Sequence, residues 1–394
     1  MPDRPSVGAS WLSVPARVAL IYAAMFFVTG VATPYLPMLL DSRGLSIAEV
    51  GVLTIVPQLV RSVCAPAVGF EADRRHSHRL LVIWLGALGV LAWVLLGRAA
   101  TFGVALIAMS LIALSNTLSP LVESIAMAGV RVSGHDYGRM RLWGSAAFVA
   151  ASMLGGWQAS RFGNGSVIWL LIAGAVATLV AAILLRQPDM TGAGNSKPRR
   201  LTYADARALL RVPLMPQLLL AAGAVQGAHG MFYAYGTLHW QSQGIDARWF
   251  GALWAVGLVT EIALFWWSKA AVQTWGAAEL LLAGAALSVF RWIAMAFDPP
   301  LAFLAPLQVL HGLTFGASHL GAMHVLARVA PHDRSATAQA LYSLVATLGM
   351  TIATAMAARA YPMAGGSTYL IMAAMALLAV LASETIRRRL PAAA

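Results

Sequence analysis

The chain has 394 residues, 59% of them hydrophobic and only 11% charged, with a mean hydropathy of +0.73. A water-soluble domain carries about a quarter charged residues, so an ordinary soluble enzyme is excluded. The 27 Lys and Arg against 15 Asp and Glu give +12. In so apolar a chain this reads as the basic bias of cytoplasmic loops rather than a nucleic-acid surface, and the lone Cys64 excludes an internal disulfide or a cysteine metal cluster.

A spanning helix needs about 20 apolar residues, so twelve use about 240 and fit the length. Apolar runs broken by charge, Gly or Pro place six spans near 15–40, 49–70, 80–97, 102–128, 140–160 and 167–186. Six more fall near 214–239, 249–269, 279–297, 301–327, 337–360 and 367–386. The first run is too long for the apolar core of a signal peptide and reads as span 1. The one long connection carries Gly192, Gly194, Asn195, Ser196 and Pro198, then Lys197, Arg199, Arg200, Arg207 and Arg211, with a short helix expected near 202–211. The expected organisation is a six-helix bundle over 1–186, a cytoplasmic linker over 187–213 and a second six-helix bundle over 214–394, a symmetry that suggests duplication.

With the N-terminus inside, 20 of the 27 basic residues fall on inner segments and 5 on outer ones. The positive-inside bias therefore puts both termini and the linker in the cytoplasm and requires an even span count.

A charge at the bilayer centre costs at least ~2.5–3.5 kcal/mol, so intramembrane polar residues are the functional candidates. They are Arg61 in span 2, Glu123 in span 4, Arg141 at the start of span 5, Glu261 in span 8 and Arg291 in span 9, with His229 in span 7 and His311, His319 and His324 in span 10. At about 100° per residue, Gln308, His311, Ser318 and His319 share one side of span 10. Gln226, His229 and Tyr233 make a stripe in span 7, Trp254 and Glu261 share a face of span 8, and Asn116 and Glu123 share a face of span 4. One water-accessible cavity would satisfy all of these stripes. The competing readings are structural ion pairs for Glu261–Arg291 and Glu123–Arg141, and packing roles for the histidines, His324 above all. Trp240 and Trp249 near span ends are expected in the interfacial belt.

The turn Gly69-Phe-Glu-Ala-Asp73-Arg74-Arg75 resembles the Gly-x-x-x-Asp-Arg signature of the major facilitator superfamily, although His76 stands where a Gly is usual. Glu123 followed by Arg141-Leu-Trp-Gly144-Ser145 is similar to the lactose permease pattern of a span-4 Glu and a span-5 Arg. Glu261, Arg291 and His311 resemble the coupling residues of that family. Thr314 replaces its carboxylate one turn after the histidine, Gln308 its nearby Lys, and Phe148 its sugar-stacking Trp. Over the whole chain the phenylpropionate permease group is the better match. It is carried by Tyr35-Leu-Pro37, Tyr137-Gly138-Arg139-Met-Arg141, His229 to Glu261, and His311 to Met323.

The resemblance implies an all-α membrane protein of twelve transmembrane helices in two six-helix bundles, the major facilitator fold. It also implies gating by Gly69, Asp73 and Arg74, with substrate held by Glu123, Arg141, Phe148, Asn116, His229 and Tyr233. Proton coupling would fall to Glu261, Arg291, His311 and His319. The expected activity is proton-coupled symport of a small aromatic carboxylate such as phenylpropionate, by alternating access. A sugar or nucleoside symporter is the alternative; an efflux carrier or a non-transporting sensor stands behind both. No enzyme motif, metal-ligand spacing or nucleotide-binding loop occurs, so no enzymatic activity, cofactor or metal is expected. The expected partners are a small-molecule substrate, protons and the lipid bilayer, with no nucleic acid, for a monomer in the inner (plasma) membrane.

Overall fold

The structure, a computed structural model, describes residues 13–75, 78–133, 137–185, 207–331 and 334–390. The described residues are nearly all helical, and no strand occurs among them. Spans 1 to 3 are α1 (Val14–Asp41), α2 (Ile47–Arg75) and α3 (His78–Gly97). Span 4 is two helices, α4 (Phe102–Ser115) and α5 (Leu118–Ser133). Spans 5 and 6 are α6 (Tyr137–Phe162) and α7 (Val167–Leu184). Span 7 is again two, α8 (Met215–Gly227) and α9 (Gly230–Ser242). Span 8 is α10 (Arg248–Trp266), followed by the short α11 (Ser268–Trp275), and span 9 is α12 (Ala277–Met295). Span 10 joins α13 (Leu301–His311) and α14 (Ser318–Val329) through a π-helical turn, Gly312–Ala317. Spans 11 and 12 are α15 (Ser335–Ala364) and α16 (Tyr369–Arg389). The twelve expected spans are all present.

Residues 186–206, most of the expected linker, lie outside the described residues, as do His76, Ser77 and the side chain of Asp73. Of the short helix expected near 202–211, residues 207–209 are helical, and Leu209 is buried against the Met215 and Leu218 cluster.

Spans 4, 7 and 10 are each broken. A broken helix frees backbone groups that lipid cannot satisfy, so it is tolerated only where protein or water takes them up. These breaks are therefore places to search for a site.

Two compact units emerge from the packing. One is built from the described residues of Met1–Ala32, Val63–Ala151 and Ile168–Ser196. Its core gathers Val18, Ile21, Leu85, Leu121, Val122 and Ile125. The other holds Thr33–Ser62, Ser152–Val167 and the described part of Lys197–Ala394. In this second unit the C-terminal ends of α1 and α6 and the N-terminal end of α2 pack on α9 and α10. The Tyr35 hydroxyl donates to the Ser152 carbonyl at 2.9 Å, the Tyr235 hydroxyl to the Ile47 carbonyl at 3.1 Å, and Asn164 Nδ2 to Gln241 Oε1 at 3.0 Å. A Cβ at Gly251 would collide with the Ser152 carbonyl. Close approach also joins α8 to α15, where Gly223 and Gly227 lie against Gly349. Membrane helices lack a hydrophobic drive to associate, and small residues give them backbone-to-backbone packing instead.

Candidate functional site

Two polar clusters stand inside the spans. The first lies in the unit containing α5. The interruption between α4 and α5 sets Glu123 in α5, where its Oε2 accepts from the Tyr22 hydroxyl at 2.7 Å and the Tyr137 hydroxyl at 3.0 Å. Arg141 in α6 places its Nε 4.0 Å from Glu123 Oε1, with the two side chains 30% and 36% exposed. The Arg141 guanidinium lies 3.9 Å from the Phe26 ring centroid and 5.6 Å from that of Tyr22. The cation is therefore seated on aromatic faces, and its terminal nitrogens are not consumed by the carboxylate. A guanidinium so held offers a planar fork suited to a second carboxylate.

The second cluster joins α9, α10, α12, α13 and the π turn. Arg291 is fully buried. Its Nη2 donates to Gln308 Oε1 at 2.9 Å, and its Nη1 to Thr314 Oγ1 and His311 Nδ1, both at 3.2 Å. The Trp292 and Phe232 rings flank it at 4.5 and 5.0 Å. Because His311 Nδ1 accepts from a cation, the ring carries its proton on Nε2. That nitrogen faces Glu261 Oε2 at 3.8 Å. His229 sits at the break between α8 and α9, with Nδ1 against the Val225 carbonyl at 3.0 Å and Nε2 3.4 Å from Thr314 Oγ1. Tyr233 joins the rings of Trp254, His229 and His311. The approach is close because α10 and the π turn carry glycines: Gly257 lies against the His311 side chain and Gly312 against the Thr260–Glu261 backbone.

Several expectations are corrected here. Glu261 and Arg291 do not pair directly; His311 stands between them. His319 does not touch Arg291 and meets the Tyr342 hydroxyl at 3.0 Å, but its ring stacks on Phe315, which stacks in turn on His311, so the two histidines keep to one side of span 10 across the π turn. Asn116 caps α4 at the break and is exposed, so it and Glu123 do not lie on one continuous helix. Phe148 is only 8% exposed, and its main chain lies against Gly30. Trp240 is fully buried against Phe232 and Phe250 rather than in an interfacial belt, whereas Trp249 is exposed. His324 bonds back to the Leu320 carbonyl, a packing role. Gly69 is partly buried, and Arg74 pairs with Glu71 at 2.9 Å on the surface.

The sequence reading missed Tyr22, Phe26 and Tyr137. The available signal was a tyrosine in the apolar run Ala-Leu-Ile-Tyr22-Ala-Ala: a buried phenol needs a partner. Thr314 and Gln308 were visible as departures from the lactose permease pattern. The structure gives them a common role, since both are neutral ligands of Arg291.

Residues 16–371 match the model of the MFS_1 like family. The chain is 30% identical over 369 residues to the probable 3-phenylpropionic acid transporter of Escherichia coli (strain K12), covering 92% of this chain and 95% of that protein. It is also 30% identical over 330 residues to the maltose permease of Geobacillus stearothermophilus, covering 83% and 82%. Among solved structures, that of the nucleoside transporter NupG superposes with a TM-score of 0.80 at 14% identity, covering 96% of this chain and all of that one. A bacterial homologue of the human lysosomal transporter Spinster gives 0.69 at 19% identity, covering 96% and 98%.

Proposed function

The chain belongs to the MFS_1 like family and is a multi-pass transporter, and from that premise we propose that it carries a small aromatic carboxylate together with a proton. Its two six-helix halves, 1–186 and 214–394, work by alternating access in the inner membrane, with both termini cytoplasmic and the protein monomeric. The observation that carries the proton half is the Arg291–His311–Glu261 line. A half-buried carboxylate facing a histidine whose other nitrogen is occupied by a guanidinium has two forms. Ionised, it faces His311 Nε2–H across 3.8 Å, and the Arg291 charge behind the ring balances it. Protonated, it is neutral and leaves His311 unchanged. The proton therefore enters or leaves at Glu261 without rearrangement of Arg291, and His311 conveys the charge rather than carrying it.

Substrate engages Glu123 and Arg141. A carboxylate competing for Arg141 displaces a contact that is already loose at 4.0 Å, and Phe26 supplies an aromatic wall beside the guanidinium. The aromatic acid is favoured by the extent of the likeness to the probable 3-phenylpropionic acid transporter. The equal identity to a maltose permease supports a second reading, a sugar symporter in which Glu123 accepts hydroxyl hydrogen bonds.

Proteoliposomes enclosing a pH dye separate the two. Aromatic carboxylates, their esters and disaccharides are added outside, with protein-free vesicles correcting for passive entry of free acid. Protein-dependent internal acidification by the acid but not its ester is the expected result. Acidification by maltose alone transfers the assignment to the sugar reading.

A further inference from the structure

Where α8 begins and α16 ends, the second unit carries a cavity of about 370 Å3 that neither polar cluster uses. Arg211, Gln217 and Arg389 supply its polar lining, and Leu210, Leu214 and Pro216 much of its apolar lining. No acidic side chain lines it among the described residues. Its neighbours Leu209, Met215, Leu218 and Ile386 are buried in one apolar cluster, with Val212 and Leu390 packed against it. The residues before α8 and the last turn of α16 are therefore held together by apolar packing, and the polar groups above are not needed for it.

Those polar groups lack partners. Arg387 and Arg388 both pair with Glu384, at 2.7 and 2.6 Å. Arg389 has no such acid, and among the described residues neither its side chain nor that of Arg211 makes a hydrogen bond or ion pair. Gln217 Oε1 is buried without a hydrogen-bond partner, a state that calls for one. Leu214, which precedes α8, has a φ of +66°, a left-handed backbone that leucine rarely adopts, and no side chain caps the helix start. The positive end of the α8 dipole is thus left open. A helix dipole favours arginines in the last turn of α16 whatever they face. It does not account for a second arginine from another segment, a buried amide and an uncapped helix start around the same cavity.

We propose that this cavity is a phosphate-binding site, and that the phosphate belongs to an anionic lipid of the surrounding membrane with a hydroxylated headgroup. Two guanidiniums and an open helix start match the oxygens of a phosphodiester. A headgroup hydroxyl donates to Gln217 Oε1. The lipid source follows from position: the cavity lies at the ends of spanning helices, where headgroups are, and basic pockets between such helices suit anionic lipids. Leu210 and Leu220 beside it are about half exposed, at 49% and 53%, and give the glycerol ester and the first methylenes an apolar surface that a free phosphate would not need. Bound there, the lipid ties the end of the linker to the last turn of α16. The inference is independent of which substrate the protein carries.

The test titrates the delipidated full-length chain in dodecyl maltoside with dioleoylphosphatidylglycerol in mixed micelles and reads the bound fraction by native mass spectrometry. Dioleoylphosphatidylcholine and free glycerol phosphate are the comparison probes. Phosphatidylglycerol should saturate one site and bind about tenfold or more tighter than phosphatidylcholine. Arg211→Gln with Arg389→Gln removes two charge-assisted hydrogen bonds and should weaken it about tenfold or more. Arg387→Gln with Arg388→Gln removes the same charge outside the cavity and should stay within about threefold of wild type. Arg211→Lys with Arg389→Lys should recover most of the affinity, since an ammonium meets a phosphate as a point charge. Gln217→Glu, a nearly isosteric change, sets a negative charge against the phosphate and should weaken binding as well. Equal loss in the two glutamine pairs overturns the proposal, because a diffuse basic surface would do the same. Equal affinity for phosphatidylcholine, or an unchanged affinity in Gln217→Glu, also overturns it. Displacement of the lipid by an equal concentration of glycerol phosphate overturns the lipid assignment and gives the site to a soluble phosphate.

Discussion

The two polar clusters solve the same electrostatic problem in opposite ways. At Glu123 and Arg141 a carboxylate and a guanidinium are both partly exposed, loosely paired at 4.0 Å, and each is held by aromatic neighbours rather than by the other. At Arg291 the cation is fully buried, both terminal nitrogens are engaged, and the nearest carboxylate is one residue removed behind His311. The first arrangement leaves hydrogen-bonding capacity for a visitor. The second commits both terminal nitrogens of Arg291 to neutral partners and leaves Glu261 without a direct cation. On the proposed function, exposure and pairing separate a place that binds from a place that switches, although both use Glu and Arg.

The largest expected effect tests that separation directly. Glu261→Gln should reduce uphill accumulation under an imposed proton gradient to the level of protein-free vesicles while leaving counterflow intact. Glu123→Gln should weaken substrate binding in both assays and keep its response to the gradient. If both variants lose the same activity, the clusters are one functional unit and the comparison fails.

Tyr22→Phe should come next. A hydrogen bond to a charged group contributes about 1.5–3 kcal/mol. Without the phenol, Glu123 turns more fully to Arg141 and competes harder with substrate, so KM should rise about tenfold with maximal rate little changed. A fall in KM would show that the tyrosine restrains Arg141 instead. Thr314→Val is a smaller change of nearly equal volume. It removes a hydroxyl from Arg291 and His229 together, and a neutral hydrogen bond contributes about 1 kcal/mol. The expected outcome is a small drop in the thermal unfolding midpoint in detergent, with substrate affinity retained.

The fold was legible because the bilayer sets a length for each apolar run, which does not depend on long-range packing. The clusters were legible as residue types, since a charge in an apolar run stands out. Their partnerships were not. Glu261 and Arg291 are 30 residues apart in sequence, and no pattern within either span reports that a third helix inserts His311 between them. The same holds for His319, whose place on the His311 side was legible while its partner Tyr342, 23 residues on, was not. Asn116 and Glu123 lie on either side of the break after Ser115, where a 100° register no longer relates two residues.

The smallest effect lies outside the spans and sharpens the comparison by removing a confounding titration. Asp246, in the turn before α10, accepts from the Arg248 backbone N–H at 2.9 Å, with the Arg248 guanidinium 3.8 Å away. The backbone donor first, then the Ser160 hydroxyl, holds its carboxyl below the usual carboxylate range. A group whose folded-state affinity for protons is depressed stabilises the fold above its unfolded value of about 3.9, and that contribution is lost as pH falls through the folded value. The side chain is largely exposed and solvent screens it, so the effect on stability is small. Asp246→Asn should therefore unfold at a slightly lower temperature than wild type at neutral pH, and the difference should shrink toward pH 3. Because the adjacent Ala247 carbonyl packs against Gly156 of α6, fraying of this turn would loosen that contact at acid pH by itself. Acid dependence of accumulation that survives in Asp246→Asn and vanishes in Glu261→Gln belongs to the buried carboxylate; dependence that vanishes in Asp246→Asn belongs to the turn.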